Sequence, residues 1–185
     1  MNKVVSIPEV QDSHYSQGGV NKISTTLLIP AYDKNSNGVV VKILIDAYRK
    51  PQLKIEPKCS VSIAISKMFL RTIEIMSSLN KDWESLCYFE YSLKSESSNF
   101  LVKDARSSGL PISIVLLNIL RKYNGLNEKK SLIGTGILRV DGTFDESSLE
   151  HIKQRAVLNS VSNRCFIDSK RCNHLFDLNG FINNQ

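Results

Sequence analysis

Ser107 and Ser108 stand at the mouth of the most apolar run in the chain. The stretch Lys103-Asp104-Ala105-Arg106-Ser107-Ser108-Gly109-Leu110-Pro111 leads straight into ISIVLLNIL. A serine before such a run is a natural helix cap, its oxygen accepting an orphan backbone N–H. It is also where a nucleophile would feel the partial positive charge of a helix start. A serine hydroxyl reacts only when a base removes its proton. Histidine is one such base, and the chain offers His14 near its beginning, His151, and His174 near its end. Lysine is the other, because burial disfavours the ammonium and leaves a neutral amine that can accept a proton.

Lys153 is the lysine whose position fits that role. Leu149, Ile152, Lys153, Ala156 and Val157 recur at helical spacing and form one apolar stripe with the lysine inside it. A boundary lysine that buries its stem and sends its amine to water is the alternative reading of the same pattern.

The elements that must position these residues are of both kinds. Two β-rich runs, KISTTLLIPA (22–31) and GVVVKILIDA (38–47), flank the turn formers of YDKNSNG and predict a hairpin. PQLKIEP (51–57) reads as a third strand bounded by prolines. From Ser60 the apolar residues switch to three- and four-residue intervals, predicting a helix that reaches Leu79. SLCYFEYSLK (85–94) alternates like a half-buried strand.

A second, more buried helix is expected from Gly109 to Tyr123. Ser107 or Ser108 is its cap, Pro111 lies in its first turn, and Asn124-Gly125 is its stop. SLIGTGILRV (131–140) reads as a strand, Asp141-Gly142 as a turn, residues 147–160 as a third helix and 164–168 as a final short strand. The fold class is α+β, a hairpin region followed by helix–strand units whose strands can pair in parallel.

Composition narrows the class. The chain has 185 residues, 42% hydrophobic and 23% charged, as expected of one folded domain behind an N-terminal arm (1–18). No apolar run is long enough to cross a bilayer, and the first residues lack the pattern of a secretory signal, so a cytoplasmic protein without a membrane partner is expected. The net charge of +6 is spread along the chain without a dense basic block, which does not favour nucleic acid as a partner. Cys59, Cys87, Cys165 and Cys172 show no paired spacing, and even Cys165, Cys172 and His174 read as free thiols and a histidine rather than a metal site. No cofactor is expected.

From Asp104 to Asp168 the chain resembles the proteolytic domain of the Lon protease family, the Lon-type Ser-Lys peptidases. The family's nucleophile motif, Lys-Asp-Gly-Pro-Ser-Ala-Gly, opens a buried helix; Lys103 to Gly109 align with it and set Ser107 at the nucleophile position. Thr135-Gly136, Asp141-Gly142, His151-Ile152-Lys153 and Cys165-Phe166-Ile167-Asp168 then fall in register with the family's strand, turn, lysine helix and following strand. Ser107 and Lys153 are 46 positions apart, close to the family's spacing.

The departures are specific. Ala105-Arg106 replaces Gly-Pro, Ser108 replaces Ala, Ile137 replaces an acidic residue, and Ser147-Ser148-Leu149 stands near the family's Gly-Gly-Leu. CYFEYSLK occupies the place of a histidine-rich strand, and no P-loop for an AAA+ ATPase occurs.

The resemblance implies a fold like that of the second domain of ribosomal protein S5, spanning residues 19–185, shared with the birnavirus polyprotein proteases. It implies Ser107 as nucleophile and Lys153 as general base, with Thr135, Asp104 and Ser108 supporting them. A serine protease acting on unfolded or partner-delivered polypeptide follows, without ATP in isolation. A separate AAA+ ATPase and a homo-oligomer, such as a hexameric ring, are the partners the resemblance implies. The alternative is a catalytically degenerate module of the same fold that binds RNA or a protein.

Overall fold

The computed structural model describes residues 22–33, 35–49, 58–59, 61–96, 105–129, 132–161 and 163–183. The N-terminal arm, the 51–57 segment and Asp104 lie outside them. The described chain is mixed α+β.

Strands β1 (Lys22–Tyr32) and β2 (Gly38–Arg49) form the expected hairpin, in register from Lys22↔Tyr48 to Tyr32↔Gly38. Asp33 organises its turn by accepting the amides of Asn35 and Asn37, each at 2.8 Å. β2 pairs antiparallel with β4 (Phe89–Ser95), and β4 pairs in parallel with the short β3 (Lys58–Cys59), giving the sheet order β1-β2-β4-β3.

Register puts Leu27 opposite Ile43 and Ile45 opposite both Thr25 and Leu93, so one face of the sheet is apolar. That face packs into a single large core with helices α1 (Ile63–Leu79) and α2 (Gly109–Tyr123). α1 starts where Ser62 Oγ accepts the Ile65 amide, and it buries Phe69, Ile73 and Met76 along one stripe. α2 is buried all round from Gly109 to Leu120, as its uninterrupted apolar sequence requires, and ends at Asn124 with Gly125 at φ 75°.

A second, smaller cluster lies under the opposite face of β1. There Leu28 meets Ile133 of β5 (Leu132–Gly134), Val157 of α3 (Glu150–Ser160) and Phe166 of β8 (Cys165–Ile167). β5 and β8 pair in parallel, as the helix–strand order led one to expect. Between them, β6 (Ile137–Leu138) and β7 (Phe144–Asp145) make a small antiparallel pair. A last helix, α4 (Leu175–Asn183), anchors Leu175, Leu178 and Ile182 in the main core; local sequence pattern did not announce it.

Three boundaries differ from expectation. Residues 85–88 are not strand but the end of a 3-10 helix (Lys81–Tyr88), because Trp83, Leu86 and Phe89 are buried at the three-residue spacing of that helix. The strand expected over 131–140 breaks at Thr135-Gly136. Gly136 instead exchanges hydrogen bonds with Ser107 O (from its N–H, 3.1 Å) and Leu110 N–H (to its carbonyl, 3.2 Å). The third helix begins at Glu150 rather than 147, because Leu149 sits in the left-handed region at φ 54° and interrupts the helical path.

Candidate active site

Ser107 lies in the tight turn that leads into α2. The Ser108 amide closes that turn on the Ala105 carbonyl at 2.9 Å, and the Ser108 hydroxyl donates to the same oxygen. Ser108 therefore occupies the cap position without capping α2 through its side chain; its hydroxyl is fully buried and turned backward. Ser107 is half-buried and faces the other way. Its carbonyl accepts the Gly136 N–H at 3.1 Å, so the turn is stitched to the chain just beyond β5. Gly109 permits this closeness, since a Cβ there would stand 2.6 Å from Leu138 Cβ.

Lys153 reaches the same place from α3. It is 2% exposed, and Ala156 and Val157 on its stripe are buried with it. Its Nζ stands 3.1 Å from Ser107 Oγ and 3.5 Å from Thr135 Oγ1. As an ammonium it donates to both. As a neutral amine its lone pair can instead accept the Ser107 proton. Desolvation favours the amine, since a buried ammonium loses hydration that a neutral nitrogen scarcely needs.

Thr135 follows β5, where its amide still reaches the Ile167 carbonyl of β8 at 3.1 Å. Its buried hydroxyl stands 3.4 Å from the Ser107 carbonyl oxygen and 2.9 Å from Ser147 Oγ. Thus Ser107, Lys153 and Thr135, singled out from sequence, are brought within hydrogen-bond reach of one another. Asp104 lies outside the described residues.

Neither described histidine competes, and His14 lies outside the described residues. His151 is exposed on α3. His174 Nδ1 accepts the Phe176 amide at 3.1 Å, which leaves Nε2–H to donate to the Asp141 carbonyl at 3.1 Å. Among the described residues no group of three or more His, Cys, Asp or Glu side chains gathers as for a metal ion.

Two members of the site carry no signal in the sequence. Tyr32, at the end of β1, lays its ring 5.7 Å from Lys153 Nζ, and its hydroxyl is 3.4 Å from Ser148 Oγ. Ser147 is buried between Thr135 and the start of α3, its amide donating to Glu150 Oε1 at 3.1 Å. Neither stands out by residue type as a site residue; each reaches the site through a contact between segments more than ten residues apart.

Among the described residues no helix is long and apolar enough to cross a membrane. No family model matches the chain, and no curated protein gives a match to it.

Proposed function

We propose that the protein is a serine endopeptidase working through a Ser107–Lys153 dyad, a divergent relative of the Lon-type proteolytic domain. The observation that carries this reading is the 3.1 Å approach of the buried Lys153 Nζ to Ser107 Oγ. A snorkelling lysine would send its amine to bulk water; this one keeps 2% exposure and ends on a hydroxyl.

The chemistry follows from those positions. Lys153, as the neutral amine, takes the Ser107 proton while Oγ attacks the scissile carbonyl carbon. The oxyanion forms beside the first turn of α2, where backbone N–H groups and the helix dipole oppose its charge. Lys153 then passes its proton to the leaving amine as the C–N bond breaks, leaving an acyl ester on Ser107. Water, deprotonated by the same amine, cleaves that ester and restores the serine.

Half-burial of Ser107 suits a substrate that presents an extended backbone, so unfolded or partner-delivered polypeptide is the substrate class. A separate ATPase that supplies such a chain belongs to the same proposal.

Incubation with casein, without ATP, tests it. Wild type is expected to produce fragments, and Ser107→Ala and Lys153→Ala none, with all three melting alike. An intact casein band with wild type would favour the degenerate binding module.

A further inference from the structure

We infer that Ser147 is a positioning residue for the general base, a role that rests on the proposed Ser107–Lys153 dyad. Ser147, Thr135 and Lys153 form a continuous line of polar atoms ending at Ser107, with steps of 2.9, 3.5 and 3.1 Å. Ser147, Thr135 and Lys153 are all buried, so bulk water does not decide these bonds and each hydroxyl takes the direction its protein partners leave it.

The count of protons and lone pairs assigns those directions. Within the described residues the Ser147 hydroxyl has Thr135 Oγ1 as its partner, so it donates there. The Thr135 proton then goes to the Ser107 carbonyl oxygen at 3.4 Å. Thr135 Oγ1 retains a second lone pair, which receives an N–H of Lys153.

A neutral Lys153 amine has two N–H bonds and one lone pair. With an N–H committed to Thr135, the lone pair can turn to the Ser107 hydroxyl, the orientation general-base catalysis needs. Remove Ser147 and Thr135 loses its shortest contact. Without the Ser147 donor to hold its oxygen, the Thr135 hydroxyl can rotate away from its long 3.4 Å partner and donate to the lysine lone pair, competing with Ser107 for it.

The local backbone is arranged around this residue. Glu150 Oε1 holds the Ser147 amide, and left-handed Leu149 ends the turn so that its carbonyl accepts the amides of Ile152 and Lys153, at 3.1 and 3.2 Å. The turn that aims the Ser147 hydroxyl at Thr135 thus also starts the helix that carries the base. In the resembled family this stretch runs near Gly-Gly-Leu, which has no hydroxyl to offer.

The test measures the nucleophilic reactivity of Ser107 directly, across a pH series, with a fluorophosphonate probe that forms an O–P bond to Oγ as fluoride leaves, the adduct being localised by mass spectrometry. Wild type should label at Ser107 with a rate that rises with pH, and Lys153→Ala should not label. Ser147→Ala should label about tenfold more slowly, the loss of one buried hydrogen bond's worth of orientation, with its profile displaced to lower pH, because a hydroxyl donating to the lysine lone pair favours the neutral amine. Ser147→Thr, which keeps a hydroxyl, should recover most of the rate. A melting temperature for each variant separates these effects from misfolding. If Ser147→Ala labels at the wild-type rate and pH midpoint while Lys153→Ala is silent, the positioning role is overturned and the dyad stands. If Ser147→Thr, folded, is as slow as Ser147→Ala, the hydroxyl is not what acts. Wild type that fails to label overturns both.

Discussion

The carbonyl oxygen of Ile152 lies 2.6 Å from where a Cβ on Gly38 would stand, and Ala156 Cβ lies 2.8 Å from the same point. The first residue of β2 thus serves as the seat of α3, and only a residue without a side chain lets the lysine helix settle that deeply. Since Ile152 immediately precedes Lys153, the depth of this contact sets how far the amine extends toward Ser107.

Gly38→Ala should therefore weaken the site from a distance. The added methyl meets backbone at Ile152, which cannot rotate away, so α3 must lift. A cost of about 1–3 kcal/mol is expected from overpacking of this kind, together with slower acylation of Ser107. A variant with wild-type melting and wild-type acylation would show that α3 does not depend on this seat.

Ser107 and Ser108 are neighbours with opposite surroundings, which makes their alanine variants a sharp pair. Ser108→Ala removes a buried hydroxyl that donates to the Ala105 carbonyl, an oxygen the Ser108 amide already satisfies. The expected result is a stability loss of about 1 kcal/mol with acylation largely retained. Ser107→Ala should leave the melting temperature nearly unchanged and abolish labelling. Loss of labelling in the folded Ser108→Ala protein instead would shift the nucleophile by one residue.

A pH effect is expected away from the site. The Cys172 thiol is pushed up from 9.0 to about 11, first by burial and then by the Asp177 carboxylate, while its backbone contact with His174 works weakly the other way. A value raised in the folded state means the fold favours the neutral thiol. That contribution is whole below pH 9 and is lost as the pH climbs through about 11. Unfolding midpoints followed across this range should fall more steeply for wild type than for Cys172→Ala, whose lysines and tyrosines titrate alike. Parallel curves would remove the thiol as the cause.

The elements that were legible in the sequence are those governed by local periodicity and turn chemistry. The β1–β2 hairpin declared itself through Asp33, Asn35 and Asn37, and α2 through its apolar run between Gly109 and Asn124. The breaks were not legible, because they are decided by partners remote in sequence. Nothing in SLIGTGILRV announces that Gly136 will leave the strand to bond Ser107 and Leu110. Leu149 at positive φ is equally silent, since leucine has no preference for that region. At the site, Ser107 and Lys153 stood out because a cap serine and a lysine on an apolar stripe are each irregular for their type. Ser147 and Tyr32 are ordinary where they stand, and only the tertiary fold brings them to Thr135 and Lys153.

Tyr32 exerts two opposing effects on Lys153. The face of its ring attracts an ammonium, which would work against the neutral base, while the bulk of the ring keeps water from the amine, which works for it. With the amine buried, the cation–π attraction is worth about 2 kcal/mol. Exclusion of water is the stronger effect, since burial can lower the pKa of an amine by several pH units. Tyr32→Ala should therefore hydrate Lys153, slow Ser107 acylation near neutral pH and displace its profile upward, with the rate restored at high pH. Tyr32→Phe should stay near wild type, because it keeps the ring and loses only a 3.4 Å contact with Ser148. Faster acylation at neutral pH in Tyr32→Ala would mean that the ring's attraction for the cation outweighs its exclusion of water.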